Sequence, residues 1–510
     1  MLRKAVIFLL VLILALQACA GQGDVASQPV LPADLPVISE TVAVNTLTPT
    51  LRPVTPTQPP GPTVTMTPVP TATATPQALA WSVNGVEIRR PGSIGHSQDL
   101  GAHWLRRNAL LWSVVEATQG FRDWTAVASL EQELIQVSQA GMEVILVVRG
   151  TPEWAQALPG VGCGPLRVES REAFASFLYE AVQRYSAPPY NVHFWELWNE
   201  PDIDPALIAP TNPFGCWGDL SDPYYGGGDY AEVLKVVYPR IKIADPQAQV
   251  LVGGLLLDCD PRLPPETSPG SGQLKDCTPS RFLEGILENG GGDYFDGVSF
   301  HAYDFYNGIQ GQFSNGSWHS SWNSTGPVLL AKAEYLFELL TAYGYPGKFL
   351  MNTEVALLCG RDGTEAICQA EDFSITKAYY AVQAYTTAQS IGLWANIWYS
   401  MEGWRGSALV SSSGEPLFVY QAIHNFSERL DQLAAWGEVD DFEGVRIYEF
   451  RGGEEDVDTQ VWVTWSLDGA PHDISLPALP NAVYDAFGNM LPLSQQITVT
   501  VAPVYIEWSE

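Results

Sequence analysis

The chain has 510 residues, with 57 Asp plus Glu against 26 Lys plus Arg, and its formal net charge is -31. So acidic a protein excludes a nucleic-acid partner on electrostatic grounds and is poorly suited to attract polyanionic polysaccharides, which leaves neutral ligands as the better match. The length allows one large domain with a smaller one beside it.

The first element is an N-terminal segment in which Arg3 and Lys4 precede an apolar run from Ala5 to Leu16, followed by Leu16-Gln17-Ala18-Cys19. The run is too short for a typical membrane-spanning helix and reads as an export signal over residues 1–19. It resembles a bacterial lipoprotein signal, in which the cysteine after the cleavage point is lipidated; a plain small-residue cleavage site is the alternative. The resemblance implies lipidation at Cys19 and an exported protein anchored in a membrane at the bacterial cell surface or periplasmic face. Residues 20–80 form a Thr/Pro-rich linker, with LTPTLRPVTPTQPPGPTVTMTPVPTATATP at its heart. Such a composition favours extended polyproline-like chain and cannot form a core.

From residue 81 the pattern becomes short apolar runs alternating with longer amphipathic stretches. Strand candidates are AHWLRRNALLW, MEVILVV, VHFWELW, AQVLVGGLLL, FDGVSFHAY, KFLMNTE and GLWANIWYS, and the stretches between them carry apolar residues at helical spacing. This alternation predicts an α/β fold, a (β/α)8 TIM barrel over 81–425, rather than an open doubly wound sheet. The first strand is expected within VNGVEIRRPGSIGH (83–96), where little room remains for a helix before Gly101. A long Pro-, Gly- and aromatic-rich excursion over 201–245 follows the fourth strand and is expected to wall a cleft, with Trp217, Tyr224 and Tyr225 as ligand platforms or as packing for the loop itself. Beyond residue 426 short runs separated by turns predict a small C-terminal antiparallel β domain, β-sandwich-like, over 426–510.

Six cysteines remain after Cys19: Cys163, Cys216, Cys259, Cys277, Cys359 and Cys368. An even number in an exported chain, without CxxC spacing, predicts disulfides and no metal site. Order along the chain points to Cys359 with Cys368, Cys259 with Cys277 and Cys163 with Cys216, one of the many connectivities that six cysteines allow.

The chemistry concentrates in two segments, HFWELWNEPD (193–202) and KFLMNTEVAL (348–357), each an apolar run ending in a glutamate, Glu200 and Glu354. Two carboxylates at the C-terminal rims of buried parallel strands are the equipment of a glycoside hydrolase. Side-chain alternation predicts that Phe194, Glu196, Trp198 and Glu200 share one face. A carboxylate at Glu196 in a buried strand needs a partner, for which Arg106 is expected and Arg107 is the rival.

With Trp198-Asn199-Glu200-Pro201 at the fourth strand and Thr353-Glu354 at the seventh, the chain resembles the retaining glycoside hydrolases of clan A over roughly residues 100–420. Within the clan it is most similar to family 39 and to neighbouring families 5 and 51. The resemblance implies that Glu200 is the general acid/base and Glu354 the nucleophile. It further implies that Asn199 bonds the sugar 2-hydroxyl, that His301 and Tyr303 orient the carboxylates, and that Trp398 floors the innermost sugar subsite. Trp154 resembles the tryptophan after the third strand, and equally suits the core; Arg106 completes the expected substrate-binding set. Trp404 lines the cleft or caps the barrel. The activity so implied is a retaining β-glycosidase of neutral oligo- or polysaccharides that uses no cofactor. An endo-acting polysaccharide hydrolase and a non-catalytic surface carbohydrate-binding protein are the alternatives.

Overall fold

The computed structural model describes residues 82–204, 217–218, 220–263, 277–306, 313–314, 317–324, 326–452 and 459–509. The signal over 1–19 with Cys19, the linker over 20–80 and Cys216 lie outside the described residues.

Ten strands form one sheet: β1 (Asn84–Glu87), β2 (Trp104–Leu111), β3 (Glu143–Arg149), β4 (Phe194–Asn199), β5 (Gln249–Leu255), β6 (Gly297–Tyr306), β7 (Phe313–Ser314), β8 (Trp318–Ser320), β9 (Phe349–Leu358) and β10 (Ala395–Trp398). The short β7 and β8 form a hairpin whose β8 runs antiparallel to β6. The other eight strands are parallel, lie in the order β5-β4-β3-β2-β1-β10-β9-β6, and close into a barrel through the pairing of β5 with β6. Each is followed by a helix, from the six-residue Ile94–Asp99 after β1 to the 20-residue Glu371–Ser390 after β9. The first unit is thus abbreviated: its four-residue strand occupies the start of the segment where a strand is expected.

The barrel interior is built in layers. At its N-terminal end Trp104, Ile145, Phe194, Leu251, Met351, Ala395 and Ile397 pack into one apolar cluster. Gly85 belongs to the same level, where a Cβ would lie 2.3 Å from Ile397 Cδ1 and 2.7 Å from Trp104 Cβ, so that only glycine fits. Inward-facing residues recur every second position. Two residues beyond Gly85, Trp104 and Phe194 therefore stand Glu87, Arg106 and Glu196, and the interior turns from apolar to ionic within one step of the pleat.

The C-terminal region is antiparallel. A five-stranded sheet in the order β11-β12-β13-β17-β15 comprises β11 (Ala434–Glu438), β12 (Val445–Gly452), β13 (Thr459–Ser466), β15 (Ala482–Asp485) and β17 (Val504–Ser509). A two-stranded sheet pairs β14 (His472–Ser475) with β16 (Gln496–Val499). One face of the larger sheet contributes Ile447, Trp462 and Ile506 to a cluster shared with Ile474 and Val499 of the smaller one. Its opposite face, with Tyr448, Phe450, Val463 and Tyr505, joins the main core. The region is fastened to the barrel by Gln383 Nε2 donating to the Val501 carbonyl at 2.9 Å and by an Arg429–Glu507 ion pair at 2.5 Å. Helix Phe418–Leu430 runs through residue 426, and the antiparallel strands begin at Ala434.

Disulfides join Cys259 to Cys277 and Cys359 to Cys368. Cys163 is also disulfide-bonded.

Candidate active site

Arg106, on β2, is fully buried and is the hub of the ionic layer. Its Nη2 donates to Glu196 at 2.5 Å and to Asn199 Oδ1 at 2.7 Å, and its Nε reaches Glu196 at 3.3 Å. Its Nη1 donates to Glu87 at 2.6 Å and to Glu354 at 2.5 Å. Burial works against a guanidinium charge, but Glu196, Glu87 and Glu354 outweigh it and hold Arg106 protonated. The expected partner of Glu196 is thus present, while Arg107 turns outward to Glu133 at 2.6 Å. As a substrate ligand, however, Arg106 is corrected: with no exposed surface and its donors directed at protein oxygens, it lies beneath the site and positions the groups above it.

Regular alternation fails just where those groups begin. Trp198 adopts φ 77° and Glu200 φ 47°, both left-handed. Trp198 consequently leaves the face it was expected to share with Glu196 and Glu200. It packs outside the barrel against Trp217, 4.9 Å between ring centroids, and donates its indole N–H to the Cys163 carbonyl at 3.0 Å. In β9 the register against β6 slips: Phe300 opposes Asn352, but His301 opposes Glu354, so Thr353 is a bulge residue. Bulges at barrel rims re-aim side chains. This one turns Glu354 inward, one inward-facing position of β6 above Met351.

Glu200 and Glu354 thereby meet, with His301 between them. His301 Nδ1 is 2.9 Å from Glu200 Oε1 and 3.6 Å from Glu354 Oε2, and the three groups offer polar atoms all within 4.8 Å of one another. Tyr303 donates its hydroxyl to Glu354 Oε2. The two carboxyl side chains are 15% and 7% exposed, enough to face an opening yet poorly hydrated. Burial pushes Glu200 up to about 7, opposed mainly by the positive charge of Arg106. Glu354 is also driven up to about 7 by burial, with His301 and Arg106 pulling the other way. Burial lowers His301 to about 4, so its ring is neutral near pH 7. The ring needs the room that Gly254 leaves, since a Cβ there would lie 2.2 Å from His301 Nε2.

Asn199 accepts on Oδ1 from Arg106 and, at 3.2 Å, from Asn108 Nδ2. That fixes its amide and leaves the Nδ2 hydrogens to donate elsewhere. Trp398 does not floor the site. It is completely buried, its ring edge-on to Tyr380 and its indole N–H bonded to the Ser407 carbonyl at 2.8 Å. Because Ala395 and Ile397 face the interior, the inward residue is the next one, Tyr399, whose ring centroid lies 6.2 Å from that of Tyr303. Trp404, 44% exposed, completes an aromatic trio with centroids 6.0 Å from Tyr303 and 6.1 Å from Tyr399.

Trp154 packs edge-on to Trp112 at 5.2 Å and bonds the Glu116 carbonyl at 2.9 Å, which places it with the core. Within the excursion after β4, Trp217 and Tyr225 are buried packing residues rather than platforms, and Tyr224 lies under the Arg281 guanidinium at 4.8 Å. Two groups escaped the sequence reading. Glu87 is signalled by the same alternation that places Arg106, two residues after an interior glycine. Asp202, buried behind Glu200, accepts the backbone N–H groups of Leu256 and Leu257 at 2.8 Å and ties the end of β4 to the end of β5. Burial raises its carboxyl to about 7.

No family model matches the chain, and no curated protein matches it. Solved structures do. A family 39 glycoside hydrolase from the gut symbiont Bacteroides cellulosilyticus WH2 is 20% identical, with a TM-score of 0.59 over 84% of this chain and 81% of that one. A conserved exported protein from Bacteroides fragilis is 12% identical, with a TM-score of 0.57 over 85% of this chain and 98% of its own. A glycoside hydrolase family 30 subfamily 8 xylanase from Clostridium acetobutylicum is 13% identical, with a TM-score of 0.54 over 86% of this chain and 97% of its own. At such identities the likeness extends to the fold.

Proposed function

We propose that the chain is a retaining β-glycosidase that hydrolyses O-glycosidic bonds in neutral oligo- or polysaccharides through Glu200 and Glu354. The observation that carries this reading is the approach of two unlike carboxyls at the barrel's C-terminal rim, with polar atoms within 4.8 Å of one another. Retaining enzymes hold their carboxyl groups about 5–5.5 Å apart, whereas inverting ones leave about 6.5–9.5 Å for a water.

The partners divide the roles. Glu354 receives hydrogen bonds from a guanidinium and a phenol, which stabilise its anion, whereas among the described residues the Glu200 carboxyl has the neutral His301 alone. Two carboxyls so close resist ionising together, and the proton they share resides on the one with fewer donors, Glu200. Glu354 attacks the anomeric carbon while Glu200 gives its proton to the departing glycosidic oxygen. The ester on Glu354 is then cleaved by a water that passes its proton back to Glu200, and two inversions give net retention. Asn199 Nδ2 is the donor for the sugar hydroxyl next to the reacting carbon. Export and a lipid tether at Cys19 belong to the same proposal and rest on the sequence of residues 3–19.

The test is hydrolysis by the full chain of a panel of aryl β-glycosides and neutral polysaccharides, followed by proton NMR, with peptide mapping of the enzyme trapped by a slow fluorinated glycoside. A β-configured first product and an ester on Glu354 are expected. An α-configured first product from a β-glycoside would overturn the retaining mechanism. A folded protein silent on every substrate would overturn the enzymatic reading.

A further inference from the structure

The ionic layer contains more negative charge than the chemistry requires. Arg106 faces three carboxylates, and its nitrogens are not shared equally. Glu196 takes Nη2 and Nε and also accepts from the Gly254 N–H at 3.3 Å, so its charge is well supported. Glu87 and Glu354 share one nitrogen, Nη1, which donates to both. Among the described residues Glu87 has no other side-chain hydrogen bond, and its side chain is 6% exposed. It is the last residue of β1, the strand paired with both β2 and β10.

We propose that Glu87 is a positioning residue for Glu354: by occupying the same Arg106 nitrogen it limits the positive charge that reaches the nucleophile, and so sets the pH below which Glu354 is protonated. This rests on the glycosidase reading for its consequence, not for its geometry. A nucleophilic carboxylate must stay ionised, but one gripped by an undivided guanidinium is a weak nucleophile. A second anion on Nη1 loosens that grip. Burial raises the Glu87 carboxyl above its usual range against the pull of Arg106, and Glu87 in turn pushes Glu354 upward. The other charged or titratable groups around Glu354 are Arg149 from β3, Glu200 just after β4, His301 and Tyr303 from β6, and Tyr399 after β10. Of all the carboxylates around Glu354, Glu87 alone shares a donor nitrogen with it.

The test is Glu87→Gln, which keeps an acceptor for Nη1 and the side-chain volume while removing the charge. In the full chain, the acidic limb of kcat/KM is expected to move down by about one pH unit, with kcat reduced at the optimum. Glu87→Asp, which restores the charge, is expected to return the limb toward its original position, and Glu87→Ala serves as the uncharged variant if the glutamine form fails to fold. In parallel, carboxyl 13C NMR of protein labelled at glutamate, with Glu354 assigned by its loss in Glu354→Gln, reads the Glu354 titration without any substrate. A downward shift there supports the proposal even if no sugar is hydrolysed. An unmoved Glu354 titration in folded Glu87→Gln overturns it, even if hydrolysis is confirmed.

Discussion

Between Trp104 and Arg106 in β2, and between Phe194 and Glu196 in β4, the barrel interior passes from close-packed apolar rings to a buried guanidinium among carboxylates. Below that step, strands alternate regularly and one glycine, Gly85, admits the packing of its neighbours. Above it, the backbone is irregular: left-handed residues at Trp198 and Glu200, a bulge at Thr353, and a register shift between Val252 and Leu255 of β5 against β6. The lower level is arranged for burial, which any large apolar residue of the right volume serves. The upper level is arranged for direction, because the proposed chemistry needs particular oxygens at particular distances. A perturbation of the first should therefore cost stability, and a perturbation of the second activity.

The largest effect expected is on the second. Glu354→Gln removes the nucleophile while keeping its volume, and kcat on an aryl β-glycoside should fall by about ten-thousand-fold or more, with thermal stability retained. A loss of folding instead would mean that the ionic layer is structural and that the contrast between the levels is drawn in the wrong place. The opposite experiment is Trp104→Ala in the apolar layer. Deleting an indole with no exposed surface should cost about 3–5 kcal/mol of unfolding free energy in urea, while the pH optimum of whatever folded enzyme remains stays where it was.

An intermediate effect comes from Glu200, where function and stability oppose one another. A carboxyl whose folded value is raised from 4.5 to about 7 binds a proton more tightly folded than unfolded. Its contribution to stability is therefore lost as pH rises through that window, from about 4.5 to about 7. Glu200→Gln, which cannot ionise, should unfold at higher urea than the native protein at pH 8, by about 1–3 kcal/mol, with the difference vanishing at pH 4. The same substitution should abolish the alkaline limb of the activity profile. Equal stabilities at pH 8 would show that Glu200 is hydrated in the folded protein and does not hold its proton by burial.

How far the sequence revealed this division follows from the same physics. Strand and helix order could be read because burial imposes apolar periodicity, and Arg106 with Glu196 because a buried charge must be paired. The rim could be read only in part. Glu200 and Glu354 stand out in their motifs, but the inward turn of Glu354 depends on Thr353 slipping against β6, a cross-strand event that leaves no mark on alternation along β9 itself. Trp398 shows the reverse. Alternation from Ala395 and Ile397 points to Tyr399 as the inward residue, and resemblance to a motif gave the neighbouring tryptophan instead. Glu87 was legible on the same grounds, as the second residue after Gly85.

The smallest effect concerns the outermost level, where Trp404 presents its indole beside Tyr303 and Tyr399. The loop that carries it is braced from two sides. The Cys359 N–H donates to the Arg405 carbonyl at 2.8 Å, one residue past the tryptophan, from the strand end that the Cys359–Cys368 disulfide closes. From helix Glu371–Ser390, the buried Lys377 donates to the carbonyls of Gly406 at 2.8 Å and Ala408 at 2.9 Å. A ring that is 44% exposed on so rigid a support has little conformational entropy to lose when a sugar stacks on it. Trp404→Ala should therefore raise KM about tenfold and leave kcat within about twofold, since stacking stabilises bound substrate and transition state alike. If kcat fell and KM held instead, Trp404 would be acting through Tyr303 on Glu354, and the level arranged for direction would extend out to the surface of the barrel.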